Sequence, residues 1–460
     1  MPARLALFGG SFNPPGNHHA HIARELARHF DEVRVIPCGP RPDKPVTDSV
    51  PPVYRAALAD MVFGGISGVK VDLSDFERDT FSRNHELQTR FETSHEVWHV
   101  VGADLIAGGA RGESAIQRTW DRGAELWQSA NFAVMRRPGY DFDEKDLPPH
   151  SQIIDVLVDG ASTTIRASLS RGESVDGLLH PRAQAYIRRY GLYRAPIPAN
   201  WARGTLEDAR YFLQADSRNP KARELASPLE KRASNAAEAD FITVIGGDGA
   251  MLRGIREHWR SRLPFFGINA GHIGFLLNGE EQATSAVFPP RDVIFRQMPM
   301  LFLEFEDASG KTHTAHGFND AWLERATAQS AWLEVIVNDV PRIPKLVSDG
   351  ALVATAAGST AYARSMGAAP LLADTPAWLL VGSNVLEPAH WRSALLSPDT
   401  TVEIRALDPR RRPVEGFVDG HSVGEVVRMR ARLSRAAAAE LVFCASHDMA
   451  EKIAAIQFGA

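Results

Sequence analysis

The chain is predicted to be an α/β protein: a doubly wound parallel sheet, then a second, smaller α/β lobe that passes into a β-rich lobe. Three observations predict this. Apolar runs alternate with segments of helical spacing up to about residue 193. A stretch with two prolines and a glycine, RAPIPANWARG, then interrupts the pattern before it restarts. Beyond about Pro289, β-prone runs separated by turns replace the helical spacing. Strands alternating with helices predict parallel sheets whose ligand crevices lie at the carboxyl ends of the strands.

Residues 5–8 form an apolar run that enters Gly9-Gly10 and reads as the first strand. Residues 18–30 have Ile22, Leu26 and Phe30 four apart, a helical spacing. The runs at 33–37, 69–73, 97–101, 131–135 and 153–157 read as strands, and those at 53–63 and 81–91 as helices. The boundary is placed near 195–204. Past it, 211–215, 241–245 and 263–268 read as strands, and 220–233 and 250–259 as helices. The runs at 301–305, 333–337, 379–381 and 402–404 belong to the β-rich part. The alanine run at 436–439 reads as a helical or loop patch. The domains are therefore 1–195 and 205–460, the second divided into an α/β lobe (205–288) and a β-rich lobe (289–445).

The 460 residues suffice for two or three cores. Hydrophobic residues make up 44% and charged residues 23%, which suits a globular protein in water. A formal net charge of −5 argues against a general nucleic-acid or anionic-membrane binder. Phosphorylated ligands must then be met by local basic groups and backbone amides. Cys38 and Cys444 form no CxxC pair and no disulfide framework, and both read as small core hydrophobes. The run at 5–8 is too short for a signal-peptide core, and no stretch approaches ~20 apolar residues. A cytoplasmic location is expected.

Near the N-terminus, GGSFNPPGNHHAH places Gly9, Gly10, Ser11 and Phe12 between a strand and a helix that begins with His18, His19 and His21. Backbone N–H groups there can approach a phosphate, and imidazoles can donate to charge developing on it. ASTTIR follows at 161–166, offering Ser162, Thr163 and the forked donor Arg166. These two phrases resemble the nicotinate/nicotinamide mononucleotide adenylyltransferases. The resemblance spans about residues 3–193 and implies a Rossmann-like nucleotidyltransferase fold. It implies phosphate or nucleotide contacts for Lys44, Arg55, Gly102 and Asp104, and a place near the nicotinyl ring for Trp120, with Trp127 in the same region. Catalysis falls to His19, supported by His18. The family's His-x-Gly-His is Gly16-Asn17-His18-His19 in the ungapped match, so the first histidine is missing. A two-residue insertion would align His21 instead; the ungapped reading is the one taken. Ala161 stands where the family has a serine.

The second half carries GGDGAML at 246–252, GINAGHIGFL at 267–276, FND at 318–320, DGALVATAAGSTAY at 349–362 and VDG at 418–420. GGDG alone also fits lipid kinases and phosphofructokinases. All five phrases in this order resemble the NAD kinases, over about residues 205–445. The resemblance makes Asp248 the catalytic carboxylate among Gly246, Gly247 and Gly249. It places Asn319 and Asp320 on a ribose diol, Asp349 toward the nicotinamide, and Thr360, Ala361, Tyr362 and Ser365 on the remainder of NAD. Departures are Ala250 for threonine, Asp320 for glutamate, Ile273 for leucine and Thr355-Ala356-Ala357 for Thr-Pro-Thr.

The combined reading is a bifunctional enzyme that joins ATP to nicotinate or nicotinamide mononucleotide and phosphorylates NAD to NADP. Mg²⁺ arrives with ATP and is not held in a protein cage. No nucleic-acid or membrane partner is expected, and the kinase resemblance implies self-association. One rival keeps the kinase and makes the N-terminal half a nucleotide-sensing regulatory module. A lipid-type kinase is the other, set aside because GSTAY argues against it and no apolar docking segment is present.

Overall fold

The computed structural model describes residues 2–41, 50–136, 143–156, 158, 160–194, 199–229, 233–285 and 288–458. The chain divides into two compact units, Met1–Ala199 and Asn200–Ala460.

The first unit has a six-stranded sheet: β1 (Ala3–Gly10), β2 (Glu32–Pro37), β3 (Val69–Val71), β4 (His95–Gly102), β5 (Asn131–Arg136) and β6 (Ser151–Asp155). Their order is β3-β2-β1-β4-β5-β6 and every pair is parallel. Leu5, Ala6, Val33, Val35, Phe132, Ala133 and Val134 are buried because helices cover the sheet, so these strands read as apolar runs and not as alternations. The strand order reverses between β1 and β4, which places a ligand crevice at the ends of those two strands. The helix Asn17–His29 follows β1, with Ile22, Ala23 and Leu26 packed inward. The helix expected over 81–91 begins only at Asn84. Cys38 and Cys444 are both buried and free.

In the second unit β8 (Tyr211–Ala215), β9 (Phe241–Gly246) and β10 (Phe265–Asn269) are neighbouring parallel strands. The carboxyl half of the long strand β22 (Arg428–Cys444) lies parallel to β10. Its other half pairs antiparallel with β19 (Thr401–Ala406). Beyond β19 come β14 (Ala331–Val337) and β15 (Val340–Ser348). β11 (Val293–Glu306) runs antiparallel along β22 and also pairs with β7 (Trp201–Gly204) and β12 (Thr312–Gly317). A third sheet is antiparallel throughout: β18 (Ser393–Leu396), β17 (Trp378–Ser383), β16 (Gly350–Ala354), β13 (Asp320–Arg325), β20 (Val414–Val418) and β21 (His421–Val426). Leu301, Leu333, Val335, Val353, Trp378 and Ile404 belong to one core cluster drawn from both sheets.

Three expectations need correction. Ala436, Ala437, Ala438 and Ala439 are neither helix nor loop; they lie within β22 and are almost wholly buried. Their small side chains suit a crowded strand, and pairing to β11 overrides alanine's helix propensity. The helix expected over 220–233 ends at Ala226, because Pro228 cannot continue it. Trp201–Gly204, read as linker, is a strand on β11 with Ala202 buried. Among the described residues no helix is long and apolar enough to cross a membrane.

Candidate functional site

In the first unit the site is built at the end of β1. Gly9 and Gly10 close the strand, and Phe12 takes a left-handed φ of 43° that turns the chain toward the helix Asn17–His29. In the first turn of that helix, Nδ1 of His19 accepts the Gly16 N–H at 3.1 Å, so the ring is fixed over the loop. The His18 and His19 rings lie 3.9 Å apart, centroid to centroid, and His19 meets the Phe12 ring edge-on. His18 is buried, whereas His21 is exposed.

The helix Ser162–Arg171 supplies the other wall. Its N-cap, Ala161, makes no side-chain cap. Instead Ser162 Oγ donates to the Pro14 carbonyl at 2.8 Å, and Arg166 Nη1 donates to the Asn13 carbonyl at 2.6 Å. Arg166 Nη2 also reaches Thr163 Oγ1 at 3.3 Å. Two phrases about 150 residues apart in sequence therefore grip one loop. Arg55 differs from its expected exposure to phosphate. It is buried, donates to the Ser11 and Cys38 carbonyls (2.8 and 2.9 Å) and lies over the Phe76 ring. Its role in this arrangement is to hold the loop. Gly102 ends β4, and Asp104 is exposed in the turn that follows. Trp120 is half-buried beside His99 and Phe132, while Trp127 is core. Lys44 lies outside the described residues.

In the second unit β9 delivers Gly246-Gly247 to the start of the helix Asp248–His258. Gly247 is the N-cap and Gly249 is exposed, so the free N–H groups of the first turn stand open to a phosphate. Asp248 accepts the N–H groups of Phe275 and Leu276 at 3.1 and 2.9 Å. Burial raises its pKa above the ordinary carboxylate value; those two bonds and Lys452 act against the rise. A carboxylate so held has a fixed direction and is more basic than an exposed one, as a proton acceptor needs to be.

Asp320 opens β13 and Asn319 immediately precedes it; both are buried. Asp419, in a left-handed turn, accepts the N–H groups of Phe318, Asn319 and Asp320 at 2.7, 2.8 and 3.2 Å. Burial pushes the Asp320 carboxyl up to about 7, and the nearby Asp419 charge adds to it. Asn319 Oδ1 is buried with no hydrogen-bond partner among the described residues. An unsatisfied amide oxygen and, on the next residue, a costly buried carboxylate are two acceptors that a donor-rich ligand would satisfy. A vicinal diol supplies such donors. The segment that follows β16 closes against this pair. A side chain at Gly358 would place Cβ 2.1 Å from the Asn319 carbonyl oxygen, so only glycine allows that approach. Thr355 Oγ1 donates to the Phe318 carbonyl at 2.8 Å and accepts the Gly358 N–H at 3.1 Å.

Tyr362 is exposed and meets Trp322 edge-on, offering an aromatic surface. Thr360 Oγ1 donates to the Ala357 carbonyl at 3.3 Å, Ala361 is half-buried and Ser365 is exposed. Asp349 is engaged by Arg325 at 2.6 Å and by Asn384 Nδ2 at 2.7 Å. Two contributors escaped the sequence reading. Asp419 belongs to the VDG phrase at 418–420 but was given no site role, because nothing local shows that its carboxylate reaches the N–H groups of 318–320. Lys452 lies in a C-terminal helix with no recognisable motif, and no local signal could have found it.

Residues 203–289 match the family model for the ATP-NAD kinase N-terminal domain, and residues 7–171 match the cytidylyltransferase-like model. The C-terminal half is 32% identical over 222 residues to an NAD kinase of Rickettsia akari, covering 48% of this chain and 87% of that protein. It is 32% identical over 255 residues to an NAD kinase of Xanthomonas oryzae pv. oryzae, covering 52% and 98%. A Xanthomonas campestris pv. campestris NAD kinase is 33% identical over the same length.

Proposed function

The chain belongs to the NAD kinase family through its C-terminal half and carries a cytidylyltransferase-like unit before it, and we propose from these two facts a bifunctional enzyme of NAD(P) synthesis. In the first unit, a phosphate oxygen of nicotinate or nicotinamide mononucleotide attacks the α-phosphorus of ATP. The bond to the β-phosphate oxygen breaks, and pyrophosphate leaves. No side-chain nucleophile is needed, so His18 and His19 act by meeting the charge that develops on the phosphates. The grip of Ser162 and Arg166 on Asn13 and Pro14 holds the loop that positions those rings.

In the second unit, the 2′-hydroxyl of the adenosine ribose of NAD attacks the γ-phosphorus of ATP. Asp248 takes the hydroxyl proton and ADP leaves. Asn319 and Asp320 hold a ribose diol. The observation that carries this reading is the buried Asn319 Oδ1, without a partner among the described residues, next in sequence to the buried Asp320 carboxyl. Both gain partners when a diol binds. The helix N-terminus at Gly247–Gly249 receives phosphate, and Tyr362 offers a face to the adenine. Mg²⁺ enters as part of the nucleotide substrate.

The test is a single reaction of the whole protein with ATP, Mg²⁺ and either mononucleotide, with products identified by mass. Nicotinamide mononucleotide should yield NAD and then, after a lag, NADP. Tethering raises the concentration of one site near the other, and helps only when the first product is the second substrate. NADP formation from supplied NAD, with no pyrophosphate released from either mononucleotide, would overturn the first activity. It would also favour a nucleotide-sensing N-terminal unit.

A further inference from the structure

The Asp248 carboxylate is held by a turn that is itself held from its other side. The C-terminal helix Met449–Phe458 is docked by buried Ile453 and by Arg364, whose Nη2 donates to the Ile456 carbonyl at 3.0 Å. From this helix Lys452 Nζ donates to the carbonyls of Gly274 and Leu277 at 2.7 and 2.8 Å. These two residues flank Phe275 and Leu276, whose N–H groups hold Asp248. The Gly274 carbonyl and the Phe275 N–H belong to one peptide group. An ammonium on its oxygen and a carboxylate on its N–H polarise that group in the same sense, and each bond strengthens the other. The turn requires glycine at this point: Gly274 sits at φ +63°, and a Cβ there would lie 2.6 Å from Asn269 Cγ.

We propose that Lys452 is a positioning residue for the phosphoryl transfer, acting on Asp248 through the Gly274–Leu277 turn. Its ammonium fixes the two peptide N–H groups in the direction Asp248 requires, and its charge favours the ionised, proton-accepting form of that carboxylate. The C-terminal helix thereby becomes part of the kinase machinery.

The test uses the full chain and initial rates of NADP formation against pH. Lys452→Met keeps the aliphatic stem and removes the charge. It should lower kcat by ~10-fold to ~10²-fold, as misplacement of a catalytic group does. It should also move the acid limb of the kcat profile up by ~1 pH unit, the smaller end of what loss of a neighbouring opposite charge produces. KM for NAD should change by less than ~2-fold, because the loss lies in the transition state. Lys452→Arg should restore the position of the limb. Lys452→Gln, which keeps a donor without charge, should shift it and serves if the Met variant does not fold. A merely structural lysine would lower thermal stability and leave the limb in place; that result overturns the proposal. The inference rests on Asp248 being the proton acceptor, so Asp248→Asn is assayed beside it. An active Asp248→Asn overturns that reading and this inference together. An inactive one with an unmoved limb in Lys452→Met overturns this inference alone.

Discussion

Replacing Asp320 by asparagine should make the protein more stable and a worse kinase. The carboxyl is 4% exposed, and its pKa stands at about 7 against an ordinary value of 3.8, first through burial and then through Asp419. A rise of about 3 units at ~1.36 kcal/mol each is a destabilisation of ~4 kcal/mol once the group is ionised in both states. The sign follows from proton counting. Between the two pKa values the folded state binds the extra proton, so stability falls as pH rises through that window. The full cost is present above pH 7, and at pH 5.5 only about half of it has been reached. An asparagine in this place carries no such cost, although its amide N–H groups must find partners, which offsets ~1–2 kcal/mol. The expected gain at pH 8 is therefore ~2–3 kcal/mol, or a Tm rise of ~4–12 °C for a unit of this size. It should shrink markedly at pH 5.5. The assay is thermal unfolding of the whole chain at both pH values, with the kinase transition identified by its upward shift on adding NAD. NAD binding should weaken by ~10-fold to ~10²-fold, because a charged acceptor is worth ~1.5–3 kcal/mol. A variant less stable than the wild type at pH 8, or equally shifted at both pH values, would refute the claim that this carboxylate is buried at a cost and kept for its ligand.

Asp248→Asn should lower NADP formation by ~10²–10⁴-fold, the usual loss for a general base, and leave adenylyl transfer unchanged; the two rates are measured on one preparation. His19→Ala should harm adenylyl transfer more than His21→Ala, since the His19 ring is fixed by the Gly16 N–H and by Phe12, while His21 is exposed. The reverse order in pyrophosphate release would assign the role to His21. Cutting between Ala199 and Asn200 should give two soluble fragments that each keep one activity, because each unit has its own sheets and core. Loss of folding in either fragment, read by circular dichroism, would refute that independence.

Much of this molecule was legible before any coordinates. The parallel strands were visible because both faces are covered, which leaves runs such as those of β1 and β9 apolar throughout. The phrases at Gly9–Gly10 and Gly246–Gly249 were visible because small residues at a strand end leave backbone N–H groups open to a phosphate, and Asn319–Asp320 was visible only through the resemblance to the NAD kinases. What could not be read was whatever depends on long-range pairing. Ala436–Ala439 carries no strand signal of its own; it lies in a strand because Ala438 and Ala439, and the residues on either side of the run, pair with β11. The bonds of buried Arg55 to the Ser11 and Cys38 carbonyls and its place over the Phe76 ring, which hold the loop, depend on segments distant in the chain. The Asp320 carboxyl owes its high pKa to burial and to Asp419, 99 residues later in the chain. Lys452 reaches the turn beneath Asp248 from a helix 175 residues beyond it. Local spacing determines which chemistry a short phrase can offer. Burial, charge proximity and the far side of a hydrogen-bonded peptide arise only when distant segments pack, and they set how that chemistry is tuned.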